Sequence, residues 1–308
     1  GSNGKTTTKE MLAQIFKAAL GKACIATEKN FNNHIGVPFT LFAVNAKTRV
    51  AIIEMGMNHA GEIEKLVSLA MPDSAVISSV GHAHIEFFSS RRRIANAKGE
   101  IMANLPTNAP IYLPHDISEI DTLLQIAKKR MLRVRRIDTR KGFLKVEKAN
   151  QNGFTLLVEG KKINFPYPNK AWVSNLALAA NCAHDAGIKT PAILDAIRCF
   201  KPLDGRMQIR KNYFTVVDNG YNANPDSAVS SIDAALQIAH GAPVICVFGD
   251  FKELGRFSAK LHAWVGRKAA EKGVSAFYAV GKSMEIARAA FDQASGKKAR
   301  SYLFARED

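Results

Sequence analysis

The opening residues, Gly1-Ser2-Asn3-Gly4-Lys5-Thr6, constrain the fold more than any other stretch. Two glycines bracket a turn, and Lys5 and Thr6 lead into a segment whose apolar residues Met11, Leu12, Ile15, Phe16, Ala19 and Leu20 recur at helical spacing. Glycine lets a backbone pass close to an anion, and the helix N-terminus adds partial positive charge there. A lysine at this place reaches terminal phosphates, and a threonine hydroxyl can ligate Mg²⁺. Such a loop is either a phosphate cradle or a plain turn. The chain begins at the loop itself, so the strand that ordinarily leads into one is expected to be missing from it.

The rest of the chain sets this loop in a regular rhythm. Residues 50–53 predict a buried strand ending at Glu54, followed by a helix over Glu62–Ala70 that stops before Pro72. Residues 75–80 predict a strand with Gly81 and His82 at its end, 94–105 a helix and 110–113 a strand. This βαβ alternation implies a mainly parallel sheet flanked by helices. The texture changes over 132–166, where four alternating segments (132–137, 143–146, 154–158 and 163–165) predict an antiparallel β patch. Helices resume over 173–186 and 191–200. A second α/β alternation then begins, with strands over 214–217, 244–248 and Ala276–Val280 and helices over 226–238, 259–272 and 283–290. The expected fold class is therefore α/β: a P-loop domain over 1–210 with a β patch, then an incomplete Rossmann-like α/β domain over 211–308.

Bulk properties narrow the function. The 47% hydrophobic and 23% charged residues are those of a globular protein. No apolar run approaches the ~20 residues of a membrane span, so no membrane partner is expected. Cys24, Cys182, Cys199 and Cys246 are scattered with no CxxC pair. This suits reduced thiols in a cytoplasmic protein and argues against zinc. The net charge of +16 reads mostly as a solvated basic surface, with a share free to attract ATP or a nucleotide-sugar. Neither zinc-finger spacing nor an RNP-type aromatic motif accompanies it, so no nucleic acid is expected. Arg91-Arg92-Arg93 leads into a helix and reads as a solvated face.

Ligands of open α/β sheets bind beyond the carboxyl ends of strands. The P-loop is one polar cluster at such an end. A second is Glu54-Met55-Gly56-Met57-Asn58-His59, whose carboxylate either holds Mg²⁺ or caps a helix. A third is Gly81-His82-Ala83-His84-Ile85-Glu86, where His84 or Glu86 could complete a metal site or serve structure alone. Asn30-Phe31-Asn32-Asn33-His34-Ile35-Gly36-Val37-Pro38 is dense in amides, which suit sugar or peptide recognition and also suit turns. Asp218-Asn219-Gly220-Tyr221-Asn222-Ala223-Asn224-Pro225 and Gly249-Asp250-Phe251-Lys252-Glu253-Leu254-Gly255 each follow a strand of the second domain.

Taken in order, GSNGKTTT, NFNNHIGVPFTLF, EMGMNHAGEI, GHAHIE, NAKGEI, SNLALAA, GRMQ, YNANPDS and GDFKELG resemble the Mur ligases of peptidoglycan synthesis. Within them the resemblance is to the branch that joins D-alanyl-D-alanine to UDP-N-acetylmuramoyl-tripeptide. It implies an ATP-dependent amide ligase working through an acyl phosphate with Mg²⁺, as a cytoplasmic monomer. It also implies an absent N-terminal UDP-binding domain. By residue, Gly1, Asn3, Gly4, Lys5, Thr6 and Thr7 match the phosphate loop, and Thr6, Glu54 and His84 the metal ligands. Lys98 matches a lysine that becomes carbamylated and joins Lys5 and His84 as catalytic. Asn175 matches an adenine contact and Arg206 a nucleotide contact. Asp218, Tyr221 and Asn222 match the ATP-side motif, and Asn32 and Asn33 the region facing the muramoyl-peptide. Departures from the pattern include Val217-Asp218-Asn219-Gly220 before the YNANP motif and Ala171-Trp172 near the adenine site. A related ligase with another acceptor, or a non-catalytic nucleotide-binding remnant, are the alternatives.

Overall fold

The computed structural model describes residues 1–296 and 299–305. After the loop come α1 (Lys5–Leu20), β1 (Cys24–Ala26), α2 (Gly36–Phe42), β2 (Val50–Ile52), α3 (Glu62–Ala70), β3 (Ala75–Val76), α4 (Ile85–Phe88), α5 (Arg91–Gly99), β4 (Pro110–Pro114), α6 (Ile120–Lys129) and β5 (Arg133–Ile137). β1 and β2 pair in parallel, and β3, β4 and β5 form a parallel sheet in that order. Three antiparallel strands follow, β6 (Leu144–Asn150), β7 (Gly153–Val158) and β8 (Lys161–Phe165), then α7 (Lys170–Asp185) and α8 (Thr190–Cys199).

An antiparallel hairpin of β9 (Gln208–Lys211) and β10 (Thr215–Asp218) leads into α9 (Pro225–Ala239). Then β11 (Ile245–Gly249), α10 (Ser258–Glu271), β12 (Ala276–Val280), α11 (Met284–Ser295) and β13 (Arg300–Phe304) build a parallel three-stranded sheet. The mixed α/β architecture with helix-flanked parallel sheets is the expected one. Helix α3 and strand β12 occupy the predicted residues, because both have clear periodicity and sharp stop signals.

Other elements differ from expectation for physical reasons. Residues 133–137 join the parallel sheet beside β4 instead of the antiparallel patch. The α6 crossover returns the chain in the same direction as β4, and a crossover of that kind makes parallel pairs. Strand β2 is half-buried and its Ala51 exposed, where a buried strand was predicted. It lines a cavity of about 780 Å³ that separates β1–β2 from β3–β4–β5, walled by Leu12 and Phe16 of α1 and by Ile63 and Ile101. Of the segment 75–80 only Ala75–Val76 form the strand; Ile77 N still donates to Tyr112 O, and beyond it the backbone turns to the loop, where Ser79 O accepts from Ser2 N. Helix α5 starts at Arg91, capped by the Ser90 hydroxyl, and ends at Gly99. The domain division expected after 210 falls inside the β9–β10 hairpin.

Two apolar cores hold the fold. One joins α1, α7 and α8 to the inner face of the β6–β7–β8 sheet. The other lies beneath β3 and β4 and continues into the second unit through Phe251, Leu261, Phe277 and Phe291. Phe165 is fully buried in the first core, with its ring 5.0 Å from Tyr167 and 6.0 Å from Phe200. Truncation to a methyl would remove these ring contacts and open a cavity in the core. Phe165→Ala is therefore expected to cost about 3–5 kcal/mol, read as a lowered urea midpoint of the first transition.

Candidate functional site

The loop is shaped by close approach. Gly4 has φ +81°, and a Cβ there would lie 2.6 Å from Asn175 Oδ1, so only glycine lets the loop close onto α7. Asn175 is buried directly behind it. The end of β3 clamps the other side. Ser79 Oγ accepts from Asn3 N at 2.8 Å, and the Ser78 and Ser79 hydroxyls donate to Asn3 O at 2.6 and 2.9 Å. Lys5 folds back over the loop and donates to Gly1 O at 2.9 Å.

Thr6 opens α1 with its hydroxyl turned inward, donating to Glu54 Oε1 at 3.2 Å. Asn32 Nδ2 donates to the same oxygen at 2.8 Å, and Thr27 Oγ1 accepts from Glu54 N at 2.9 Å. Glu54 is buried, yet its Oε2 has no hydrogen-bond partner among the described residues. A buried carboxylate oxygen left bare beside a threonine hydroxyl fits a cation ligand. Among the described residues no three His, Cys, Asp or Glu side chains form a ready-made metal centre. A carboxylate and a hydroxyl side by side fit a hard cation that keeps several waters, as Mg²⁺ does.

Lys98 is 3% exposed and meets no carboxylate and no hydrogen-bond acceptor among the described residues. Burial, with the Lys5 cation adding to it, pushes its ammonium well below the ordinary lysine range. Burial also lowers Lys5, with Glu54 opposing and Arg206 reinforcing the shift. His84 lies low for the same first reason, with Lys98 and Lys5 reinforcing it against the pull of Glu253. The interior of the site is thus crowded with cationic side chains and short of anions.

The second unit reaches into this site at four places. Asn3 and Asn224 exchange amide hydrogen bonds at 3.2 and 2.7 Å. Asp226 accepts from the backbone N of His82 at 2.6 Å and lies 2.9 Å from its Nδ1. Glu253 Oε2 lies 2.6 Å from His84 Nδ1. Arg206 donates to Thr6 Oγ1 at 3.3 Å, and its guanidinium covers the Tyr221 ring at 4.4 Å. Burial tends to raise the Asp226 carboxyl, but the two hydrogen bonds from His82 bring it below the usual range.

Of the residues singled out from sequence, Gly1, Asn3, Gly4, Lys5, Thr6, Glu54, His84, Lys98, Asn175 and Arg206 gather around the loop. Thr7 is buried in the first turn of α1. Asp218 faces Arg210 at 3.5 Å and accepts from Gly220 N, while Asn222 is exposed. Asn32 braces Glu54, and Asn33 caps α2 by accepting from Ile35 N and Gly36 N. Sequence reasoning did not single out His82, Asn224, Asp226 or Glu253. All four lie inside quoted motifs, but their partners are far away in the chain.

Residues 1–183 match the Mur ligase middle domain and residues 205–307 the Mur ligase glutamate ligase domain. The UDP-N-acetylmuramoyl-tripeptide–D-alanyl-D-alanine ligase of Escherichia coli is 32% identical over 293 residues, covering 92% of this chain and 63% of the relative. The enzyme of that name from Treponema pallidum is 32% identical over 308 residues, covering 100% of this chain and 65% of the relative. The chain spans less than two thirds of the length of these relatives. A crystal structure of MurF from Acinetobacter baumannii superposes with a TM-score of 0.84 at 26% identity, covering 99% of this chain and 72% of the other. MurF from Thermotoga maritima in complex with ADP gives 0.81 at 25% identity, covering 100% and 75%.

Proposed function

The chain belongs to the Mur ligase family, and from that premise we propose that it is the nucleotide-binding and closing part of a ligase that joins D-alanyl-D-alanine to UDP-N-acetylmuramoyl-tripeptide, using ATP. The relatives that carry this activity in their names support the choice of acceptor. The observation that carries the reading is the meeting of Lys5, Thr6 and Glu54 at one loop mouth, with Arg206 laid on Thr6. A nucleotide-binding first unit would end near residue 204, and the closing second unit would begin ahead of the β9–β10 hairpin. The work belongs to cytoplasmic synthesis of peptidoglycan precursors, and among the described residues no helix is long and apolar enough to cross a membrane.

A carboxylate is a poor acylating agent, so it must first be activated. The γ-phosphoryl of ATP moves to an oxygen of the tripeptide carboxylate, and ADP leaves. The amine of D-alanyl-D-alanine then attacks the acyl carbon; the C–O bond to the phosphoryl group breaks, inorganic phosphate leaves with that oxygen and its electron pair, and the amine gives up one proton. Phosphoryl transfer asks for positioning and charge neutralisation more than covalent help. The loop N–H groups and the α1 N-terminus cradle the phosphates, with Lys5 released from Gly1 O to reach them. Gly1, Asn3, Gly4 and Thr7 shape that cradle, and Asn175 fixes its rear wall. Arg206, Tyr221, Asp218 and Asn222 close the nucleotide side.

Thr6, Glu54 and His84 would hold Mg²⁺, which when bound neutralises charge on the phosphates and the incoming carboxylate. Asn32 keeps Glu54 aimed, and Asn33 holds the loop that faces the peptide. Lys98 adds CO₂ as a neutral amine, forming an N–C bond and releasing one proton, and so becomes an anion in a site that lacks them.

The test is mass spectrometry of the chain with Mg-ATP, UDP-N-acetylmuramoyl-tripeptide and D-alanyl-D-alanine. Formation of the pentapeptide only when ATP is present is the expected result. ATP binding without ADP or pentapeptide would instead identify a non-catalytic nucleotide-binding module.

A further inference from the structure

Glu253 sits at the tip of the loop between β11 and α10, and that loop is fixed from beneath. His262 is fully buried; its Nε2 accepts from Phe251 N at 3.1 Å, and its Nδ1 lies 2.8 Å from Ser258 O. Both ring nitrogens are therefore spent in one neutral tautomer, with Nδ1–H donating to the carbonyl. Asp250 Oδ1 accepts from Met284 N at 2.9 Å, and Phe251 and Leu254 are buried. The tip is thus held by the core of the second unit while its carboxylate projects across to the first.

The landing site is equally fixed. Glu86 N donates to Glu253 O at 3.2 Å. Gly255 presses on Glu86 so closely that a Cβ there would lie 2.9 Å from Glu86 Cγ. His84 and Glu253 both hold left-handed backbone conformations, with φ +64° and +59°. Non-glycine residues adopt that region at a cost, and surrounding structure must impose it. Strain on both partners of one contact, across two units, marks a contact that the fold maintains.

The Glu253 carboxylate lies 2.6 Å from His84 Nδ1 but off the line of a straight hydrogen bond, which leaves that buried nitrogen otherwise unpartnered among the described residues. A histidine that ligates a metal through one nitrogen commonly has the other held by a carboxylate, which fixes tautomer and ring angle. We infer that Glu253 is a positioning residue: on closure of the second unit it takes the His84 Nδ1–H and sets the ring so that Nε2 is offered to a divalent cation. The inference rests on the metal reading above and extends it, because closure would then complete the metal site as well as cover it.

Mn²⁺ serves as the probe, with free Mn²⁺ followed by electron paramagnetic resonance as the chain is titrated in the presence of ADP. Glu253→Ala is expected to weaken Mn²⁺ about tenfold, with ADP affinity in the absence of metal unchanged. Glu253→Gln, whose amide oxygen can still accept from Nδ1–H, is expected to lose only part of this. Asp226→Ala, which cuts a different contact between the units, is expected to change Mn²⁺ affinity less than Glu253→Ala. Equal losses in Asp226→Ala and Glu253→Ala would show that Glu253 acts only by holding the units together, and would overturn the inference. Mn²⁺ binding unchanged in both Glu253 variants would overturn it while leaving the metal reading intact. A wild-type chain that binds no Mn²⁺ with ADP would sink the metal reading and this inference together.

Discussion

Lys5→Ala is expected to lower ADP formation about a thousandfold while leaving the fold intact. Lys5 folds over the loop, its ammonium donating to Gly1 O at 2.9 Å. On ATP binding that ammonium exchanges a neutral carbonyl for phosphate oxygens. The new bond is charge-assisted, and charge moves onto the bridging oxygen as transfer proceeds. A preorganised donor at such a position carries about 10²–10³ in rate. Stability should not suffer, because Lys5 shares its surroundings with Lys98 and Arg206. Removing the buried ammonium relieves its desolvation and its repulsion by these cations, which offsets the attraction to Glu54 that is lost. Isothermal titration of ATP and an ADP-release assay separate binding from transfer. Full ADP release by the variant would mean that the loop is not the phosphate cradle.

The turn from Gly1 into α1 was legible because its pattern is local. Gly1 to Thr6 are contiguous, and the helix that follows declares itself by apolar spacing over one stretch of chain. The same holds for α3, bounded by Gly61 and the turn before Pro72, and for β12. What was not legible depends on partners remote in sequence. Asn3 and Asn224 are 221 residues apart, yet their amides pair directly. Nothing in the periodicity around Asn224 separates that role from helix capping, and the residue does both, since its side chain also accepts from Ser227 N. Likewise Asn32 reads as one of several loop amides until Glu54 is seen beside it. Strand β5 alternates like its antiparallel successors; only its pairing with β4 assigns it to the parallel sheet. Strands β1 and β9, of three and four residues, were not read from the sequence. Residue chemistry and short-range pattern were readable, whereas register and the encounter of the two units were not.

That encounter changes what the site can do. The loop, Glu54 and His84 come from the first unit, and Asn224, Asp226 and Glu253 meet them from the second. The polar contacts between them cluster on the loop and on the His82–Glu86 turn, beside an apolar core that runs on from one unit into the other.

Lys98 gives the sharpest separation between stability and activity. A buried amine with a lysine neighbour and no carboxylate nearby sheds its proton more readily than it would in the unfolded chain. The sign follows directly. Between the depressed folded pKa and the ordinary unfolded value the unfolded state binds more protons, so stability rises with pH across that window and is lower below it. In CO₂-free buffer at neutral pH, Lys98→Met keeps the length of the side chain and removes the cost of burying the amine. Its thermal midpoint is expected to exceed that of the wild type. Its ligase activity is expected to fall at least about a hundredfold, because the methionine cannot take up CO₂ and supplies no anion opposite the cations of the site. The wild type should respond to bicarbonate at constant pH and lose activity as acid protonates the amine and drives CO₂ off; the variant should ignore bicarbonate altogether. A wild-type rate independent of bicarbonate after thorough degassing would show that Lys98 works as an amine, and the carbamate would have to be given up. A Lys98→Met chain that melts below the wild type would show instead that the ammonium has found a stabilising partner in solution.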